Sequence, residues 1–360
     1  MYTKPEAQQV WSLRRKILIA VGIVILILAL GLGLGLGLTL GRDNDDDNDN
    51  TSPPTSTLTP LPTPNTTLPW TPSVSDTWQI ILSHPPDLSS SDTSTTPNVS
   101  IFDIDLFDTP TETIRQLQSM GKKVICYFSA GSYEDWRPDA SEFKKEDLGR
   151  DLDGWPGEKW LDLNSENVRR VMKGRVELAK EKGCDGVDPD NVDGYVSKYP
   201  PPCRSSPYRY IYTNNPQQNN NGLSLTPSTS ISYLQYLSSL TQPLNLTLGL
   251  KNAGDIIPAV LPIVHFSVNE QCAKYGECAT FAPFIAAGKP VFHIEYPDEA
   301  GAEQGLEEDV VGRYCDRGGK GQGSDGFNTV LKKMELDGWV EFCDRRVEVT
   351  DVDEGVGGRG

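Results

Sequence analysis

The chain has 360 residues, with 33 Lys and Arg against 50 Asp and Glu, a formal net charge of −17. That length allows one large domain or two small ones, and that charge argues against nucleic acid as a partner while suiting a cationic one. With three histidines in the chain and cysteine spacings that suit tetrahedral ligation poorly, a zinc site is a weak reading, and neither metal nor cofactor is expected.

The first sixteen residues carry Lys4, Arg14, Arg15 and Lys16 against Glu6. Residues 17–40 then contain no charged side chain. At ~1.5 Å per residue they are long enough for a bilayer core of ~30 Å. Cations flank one end and the acids from Asp43 to Asp49 the other. The positive-inside rule therefore predicts a single-pass type II membrane protein, with residues 1–16 cytoplasmic and the bulk of the chain extracellular or lumenal. Residues 41–75 are acidic and then rich in Ser, Thr and Pro, which predicts a disordered, O-glycosylated stalk. Sequons at Asn50, Asn65, Asn98 and Asn245 suit an exported chain. Disulfides are permitted outside the cell. Of the seven cysteines, Cys272 with Cys278 and Cys315 with Cys343 are the preferred bridges, whereas Cys126 and Cys184 lie in apolar runs and read as small buried residues.

Residues 76–349 have the texture of a folded domain. Strands are predicted at 78–82, 99–107, 123–129, 185–188, 246–250, 260–268, 290–295 and 339–343. Helices are predicted at 111–120, 165–182, 228–240, 280–287 and 327–336. Ser165 is a candidate cap, and Gly183 and Gly288 are stops. Alternation of this kind implies a parallel sheet in an α/β fold, and eight units at this length predict a (β/α)8 TIM barrel preceded by a single transmembrane helix and the stalk. An open doubly wound sheet is the runner-up, but no Gly-x-Gly-x-x-Gly follows any strand. Residues 198–221 read as a loop insertion, and residues 350–360, acidic and Gly-rich, as a disordered tail.

Polar residues collect at the strand tips, the face where barrels build sites. Strand two ends in Asp103 and Asp105, strand three in Tyr127 and Ser129, strand four in Asp188, Asp190 and Asn191. Strand five ends in Lys251 and Asn252, strand six in Asn269 and Glu270, strand seven in Glu295 and Tyr296. The densest run lies in residues 183–195, where Asp185, Asp188, Asp190 and Asp193 fall within nine positions. Alternation aims Asp188 inward beyond Gly186 and Cys184, and Glu270 inward beyond Val268 and Phe266. Two facing carboxylates meet the requirement of glycoside hydrolysis. Asp105, Tyr127, Asp190, Asn191, Lys251, Asn252 and Glu295 are the candidate substrate-binding residues, and Asp185 and Asp193 are expected to do structural work. A Ser-His-Asp hydrolase is disfavoured, because no Gly-x-Ser-x-Gly occurs; a calcium loop lacks the EF-hand glycine and terminal Glu. Trp136, Trp155 and Trp160 read first as core or loop packing.

Six motifs carry a resemblance: Asp-Ile-Asp-Leu-Phe-Asp at 103–108, Val-Ile-Cys-Tyr-Phe-Ser-Ala-Gly-Ser-Tyr-Glu-Asp-Trp-Arg-Pro-Asp at 124–139, Gly-Cys-Asp-Gly-Val-Asp-Pro-Asp-Asn-Val-Asp-Gly-Tyr at 183–195, Gly-Leu-Lys-Asn-Ala at 249–253, Val-Asn-Glu-Gln-Cys at 268–272 and Gly-Lys-Pro-Val-Phe-His-Ile-Glu-Tyr at 288–296. From about Trp78 to Cys343 the chain resembles glycoside hydrolase family 114, the endo-α-1,4-polygalactosaminidases. The resemblance implies a TIM barrel that cleaves α-1,4-linked galactosamine polymers such as deacetylated galactosaminogalactan, and a membrane-anchored fungal type of member. It places the family's acidic pair on Asp188 and Glu270. Analogy with barrel glycosidases acting on α-galactosides makes Asp188 the nucleophile and Glu270 the acid/base. The cationic polysaccharide is the expected partner, a monomer the expected state, and a cell-surface carbohydrate-binding protein without catalysis the alternative.

Overall fold

Eight parallel strands set the frame. In chain order the elements are β1 (Trp78–Ile81), β2 (Ile101–Asp105), α1 (Thr111–Ser119), β3 (Lys123–Ser129), β4 (Ser132–Glu134), β5 (Leu148–Asp151), β6 (Glu158–Leu161), α2 (Glu166–Lys182), β7 (Gly186–Asp190) and α3 (Pro227–Thr241). They continue with β8 (Thr247–Lys251), α4 (Ile257–Val260), β9 (Phe266–Glu270), α5 (Cys272–Tyr275), α6 (Ala282–Ala286), β10 (Val291–Glu295), α7 (Glu308–Cys315), β11 (Asn328–Leu331), β12 (Trp339–Phe342) and β13 (Val347–Val349). This computed structural model describes residues 68–88, 93–195, 221–316 and 318–357.

The large sheet runs β1-β2-β3-β7-β8-β9-β10-β11-β12-β13. Neighbours from β1 to β11 pair in parallel, while β12 and β13 add antiparallel strands after β11. The parallel part curls until its ends touch. The Trp78 indole donates to Asn328 O at 2.8 Å, Leu82 N donates to Leu336 O at 2.8 Å, and Lys332 Nζ donates to Gln79 Oε1 at 3.0 Å. The result is a TIM-barrel-like curled sheet. Side chains fill its interior in layers. One end is plugged by aromatic rings, with Trp78 and Phe292 5.0 Å apart and Phe266 and Phe292 5.7 Å apart. The other end carries the acids.

Helix α2 shows how locally the sequence sets this frame. Ser165 caps it, accepting from Asn167 N and Val168 N, and Gly183 closes it at φ 94°, a left-handed conformation that glycine adopts without a Cβ penalty. Its buried residues Val168, Val171, Met172, Arg175, Val176 and Ala179 follow the helical period and face the sheet. Gly186, at the start of β7, lets β8 approach: a Cβ there would stand 2.1 Å from Thr247 Oγ1.

Several expectations are corrected. Residues 327–336, predicted as a helix, form β11 and a turn, because the free edge of β10 offers a ladder that outweighs local propensity. Residues 260–268 divide, Val260 ending α4 and the strand starting only at Phe266. A second small antiparallel sheet, β4-β6-β5, was not foreseen; its strands are short and polar. Cys126 and Cys184 are not free thiols but a disulfide, beside the predicted Cys272–Cys278 and Cys315–Cys343 bridges. Packing begins before residue 76, since Trp70 already lies against the core. Residues 350–357, expected to be disordered, are anchored: Val352 bridges Pro86, and Asp353 N donates to Pro85 O at 3.0 Å. Among the described residues no helix is long and apolar enough to cross a membrane. The 17–40 segment, the stalk up to residue 67, and the 198–221 insertion apart from Asn221 lie outside the described residues.

Candidate active site

Alternation along the parallel strands sends Asp105, Tyr127, Asp188, Lys251 and Glu270 to the same interior end. Asp188, on β7, is fully buried, and neither of its oxygens has a hydrogen-bond partner. Lys251, carried by the adjacent β8, places its ammonium 3.5 Å from Asp188 Oδ2, at the outer edge of hydrogen bonding. The same ammonium lies 3.9 Å from Asp190 and 3.9 Å from Glu270, and 5.3 Å above the Tyr127 ring. Burial disfavours the Lys251 charge, but the carboxylates of Asp190, Glu270 and Asp188 outweigh it and hold the pKa above the ordinary lysine value. For Asp188 burial dominates: it raises the carboxyl to about 7, with Lys251 opposing and Asp190 and Glu270 adding to the rise.

Glu270 ends β9 and is gripped on both oxygens. The Tyr296 hydroxyl donates to Oε1 at 2.5 Å and Asn252 Nδ2 donates to Oε2 at 3.0 Å. Asn252 also accepts from Glu270 N at 2.9 Å, so one side chain fixes both the backbone and the carboxylate. It does so from a left-handed backbone, φ 49°, a conformation to which Asn is better suited than most residues. Asp190 accepts from the Tyr127 hydroxyl at 3.0 Å. Burial first, and then the Asp190 carboxylate, keeps the Tyr127 phenol protonated well above its ordinary pKa; burial and Glu270 do the same for Tyr296. Both phenols are therefore donors to acids. Asn191, also left-handed, turns away and donates to Ser129 and Ser132 at 3.1 and 3.3 Å.

These groups open into a cavity of about 700 Å³ lined by nine acidic side chains and two cationic ones, Arg137 and Lys251. That surplus gives the cleft a negative potential. Asp188 is the floor beneath the cavity and not part of its exposed lining. The small sheet forms one wall. There Arg137 forks onto Asp105 at 3.0 and 2.6 Å and reaches Glu134 at 2.8 Å, while Arg175 grips Asp139 at 2.8 and 2.9 Å and touches Glu134 at 3.4 Å. Glu158 on the same wall accepts from Ser132 Oγ at 2.5 Å; burial raises its pKa to about 7, with the Ser132 hydrogen bond opposing. Trp136 and Trp155 line this wall, and Tyr275 stands on the lining as well. Trp155 and Tyr275 are exposed. Trp160 is buried beside Gly194 and is not in the lining.

The structure thus brings together Asp188, Glu270, Tyr127, Asp190, Lys251 and Asn252. Asp105 reaches the cavity with both oxygens already held by Arg137 and by the N–H groups of Phe107 and Asp108. Asn191 lines the cavity while its amide supports the β3–β4 turn. Glu295 is not in the cleft. It points to the outer side of β10, where Oε1 accepts from Ala273 N at 2.7 Å and meets His293 Nε2 at 2.9 Å. Tyr296, one residue on, takes the inward place, and the alternation Phe292–Ile294–Tyr296 is the signal that separates them. Asp185 is structural, as expected, accepting from Val124 N and from Lys123 Nζ. Cys272, Cys278 and His293 converge as a metal trio would, but the two sulfurs are spent on each other in a disulfide.

An acid-lined cleft at the polar end of a curled parallel sheet, with two carboxylates facing one ammonium, is the arrangement of a glycoside hydrolase. Residues 59–348 match the model of glycoside-hydrolase family GH114, and the chain belongs to that family. Among solved structures it is similar to Aspergillus fumigatus Ega3 in complex with galactosamine, at 48% identity and TM-score 0.65, over 77% of this chain and 99% of that one. The glycoside hydrolase domain of PelA from Pseudomonas aeruginosa shares the fold, with 14% identity and TM-score 0.53 over 77% of this chain and 99% of that one. No curated protein matches the chain.

Proposed function

We propose that this glycoside hydrolase is an endo-α-1,4-polygalactosaminidase that cleaves deacetylated galactosamine polymers with retention of configuration. The observation that carries the reading is the pair Asp188 and Glu270 set on one Lys251 ammonium at the floor of an acid-lined cavity. The similarity to a structure solved with galactosamine supports the sugar. A polymer of free amines is cationic, and the negative cleft draws it in.

In this mechanism Glu270 takes a proton from solvent before the chemical step and gives it to the leaving oxygen while Asp188 attacks the anomeric carbon. Glu270 then takes a proton from the water that opens the glycosyl ester. Lys251 keeps Asp188 ionised against its burial, and Asn252 and Tyr296 hold Glu270 in place. Trp155 and Tyr275 offer stacking surfaces for sugars beyond the cleaved bond. The enzyme works as a monomer outside the membrane, tethered through residues 17–40.

The test is product analysis on a deacetylated α-1,4-galactosamine polymer. Oligosaccharides whose new reducing ends first appear as the α anomer are expected. A β anomer would replace retention by inversion, and the absence of any cleavage would overturn the reading.

A further inference from the structure

Asp103 is a buried acid that the chemistry above leaves unused. It lies on the inward face of β2, two residues below Asp105. Strand register sets it level with Ile80 of β1 and Ile125 of β3, and Ile125 is level with Gly186 of β7. Asp103 therefore stands one layer beneath Asp188, where Gly186 leaves the wall without a side chain. It is fully buried and neither of its oxygens has a hydrogen-bond partner; the same holds for both oxygens of Asp188. Asp103 has no donor at all, and the donor nearest Asp188 is the Lys251 ammonium, 3.5 Å from Oδ2. A buried acceptor without a donor is costly, and one proton shared between the two carboxyls would serve both.

The charges around Asp103 do not favour its ionisation. β7 contributes Asp188 and Asp190, while Glu270 of β9 faces Lys251 and β3 carries the neutral phenol of Tyr127. β1 offers only Ile80, and Asp105 on its own strand belongs to Arg137. Lys251 is the facing cation, and it already stands beside three carboxylates. A fourth would leave the interior with too much negative charge for one ammonium.

We propose that Asp103 is held protonated and acts as a positioning residue, its carboxyl donating to Asp188 from below and fixing the reactive carboxylate toward the cavity. Burial, and then repulsion from Asp188, push the Asp103 pKa well above its ordinary value, with Lys251 opposing. The proton remains on Asp103 through the reaction, so the residue touches no substrate atom.

Two readouts test this. The kinetic one rests on the proposed function and the spectroscopic one does not. Infrared difference spectra of the folded domain at neutral pH should show a protonated carboxyl band that Asp103→Asn removes and Asp188→Asn leaves. In kinetics, Asp103→Asn keeps an amide donor and should hold kcat within about threefold. Asp103→Leu has no donor; it should lower kcat by about thirtyfold with KM unchanged and move the acidic limb of the pH profile up by about one unit. Absence of the band, or Asp103→Asn as damaging as Asp103→Leu, overturns the proposal. So does Asp103→Leu with a wild-type pH profile. If Asp103→Leu does not fold, the band and Asp103→Asn still decide. A chain that shows the band but cleaves no polymer refutes the proposed function and leaves the shared proton standing.

Discussion

The two sides of the cleft treat their acids in opposite ways. On the small-sheet side, Asp105, Glu134 and Asp139 are matched to Arg137 and Arg175 through forked, short hydrogen bonds. On the β7–β9 side, Asp188, Asp190 and Glu270 share the single ammonium of Lys251 at 3.5 to 3.9 Å, with Asp103 buried below them. The first arrangement fixes charge and holds a wall in place. The second leaves charge under-compensated, so protonation there responds to whatever enters the cleft. A buried carboxyl is thus no guide to its role by itself; what differs between these two sides is whether a guanidinium already holds it.

The largest effects should come from the under-compensated side. Asp188→Asn and Glu270→Gln are each expected to lower kcat by roughly 10³-fold or more, measured as reducing ends released from the polymer. Lys251→Met comes next, with a loss of about 10²-fold; removing the one cation also raises the Asp188 pKa, so the acidic limb moves to higher pH. In the unaltered enzyme that limb is expected well above the ordinary carboxylate range, since the proposed attack needs Asp188 ionised and burial raises its pKa to about 7. A limb near the ordinary Asp value would mean that Asp188 is solvated in solution.

The matched side should fail differently. Arg137→Met strands two buried acids and is expected to cost about 3–5 kcal/mol in chemical denaturation, with the acidic limb unmoved in whatever folds. A shifted limb would erase the contrast between the two walls. The smallest effects belong to the rim. Trp155→Ala should raise KM by roughly three- to tenfold on long polymer, with kcat little changed, since stacking contributes to binding more than to the chemical step.

Much of this was legible in the sequence, and the reasons are local. The cap at Ser165, the stop at Gly183 and the run Lys123–Ser129 are set by neighbours in the chain, and they fall where the pattern puts them. Asp188 and Glu270 were legible because an acid at the end of an alternating strand has one direction to point. Other features depend on partners distant in sequence. Residues 327–336 are predicted as a helix, and only the edge of β10 makes a strand of them. Cys126 and Cys184 are 58 residues apart and meet across β3 and β7. Glu295 and Tyr296 are separable by alternation, which puts the aromatic residue and not the charged one on the inward face. The Arg137 and Arg175 network was illegible, because nothing in a sequence says which acids an arginine will hold.

The most direct test is a paired measurement on Asp188→Asn, activity and stability on the same preparation. Burial in the folded state raises the Asp188 pKa from the ordinary 3.8 to about 7, so between those values it holds a proton that the unfolded chain releases. Stability from this group is present at low pH and lost as pH rises through about 7. An asparagine never loses that proton. The variant should therefore be inactive on galactosamine polymer and, at neutral pH, more stable than the parent by on the order of 2–4 kcal/mol. An Asp188→Asn enzyme that still cleaves the polymer at the parental rate, or one that loses stability at neutral pH, would contradict the claim that Asp188 is the strained, reactive acid of this site.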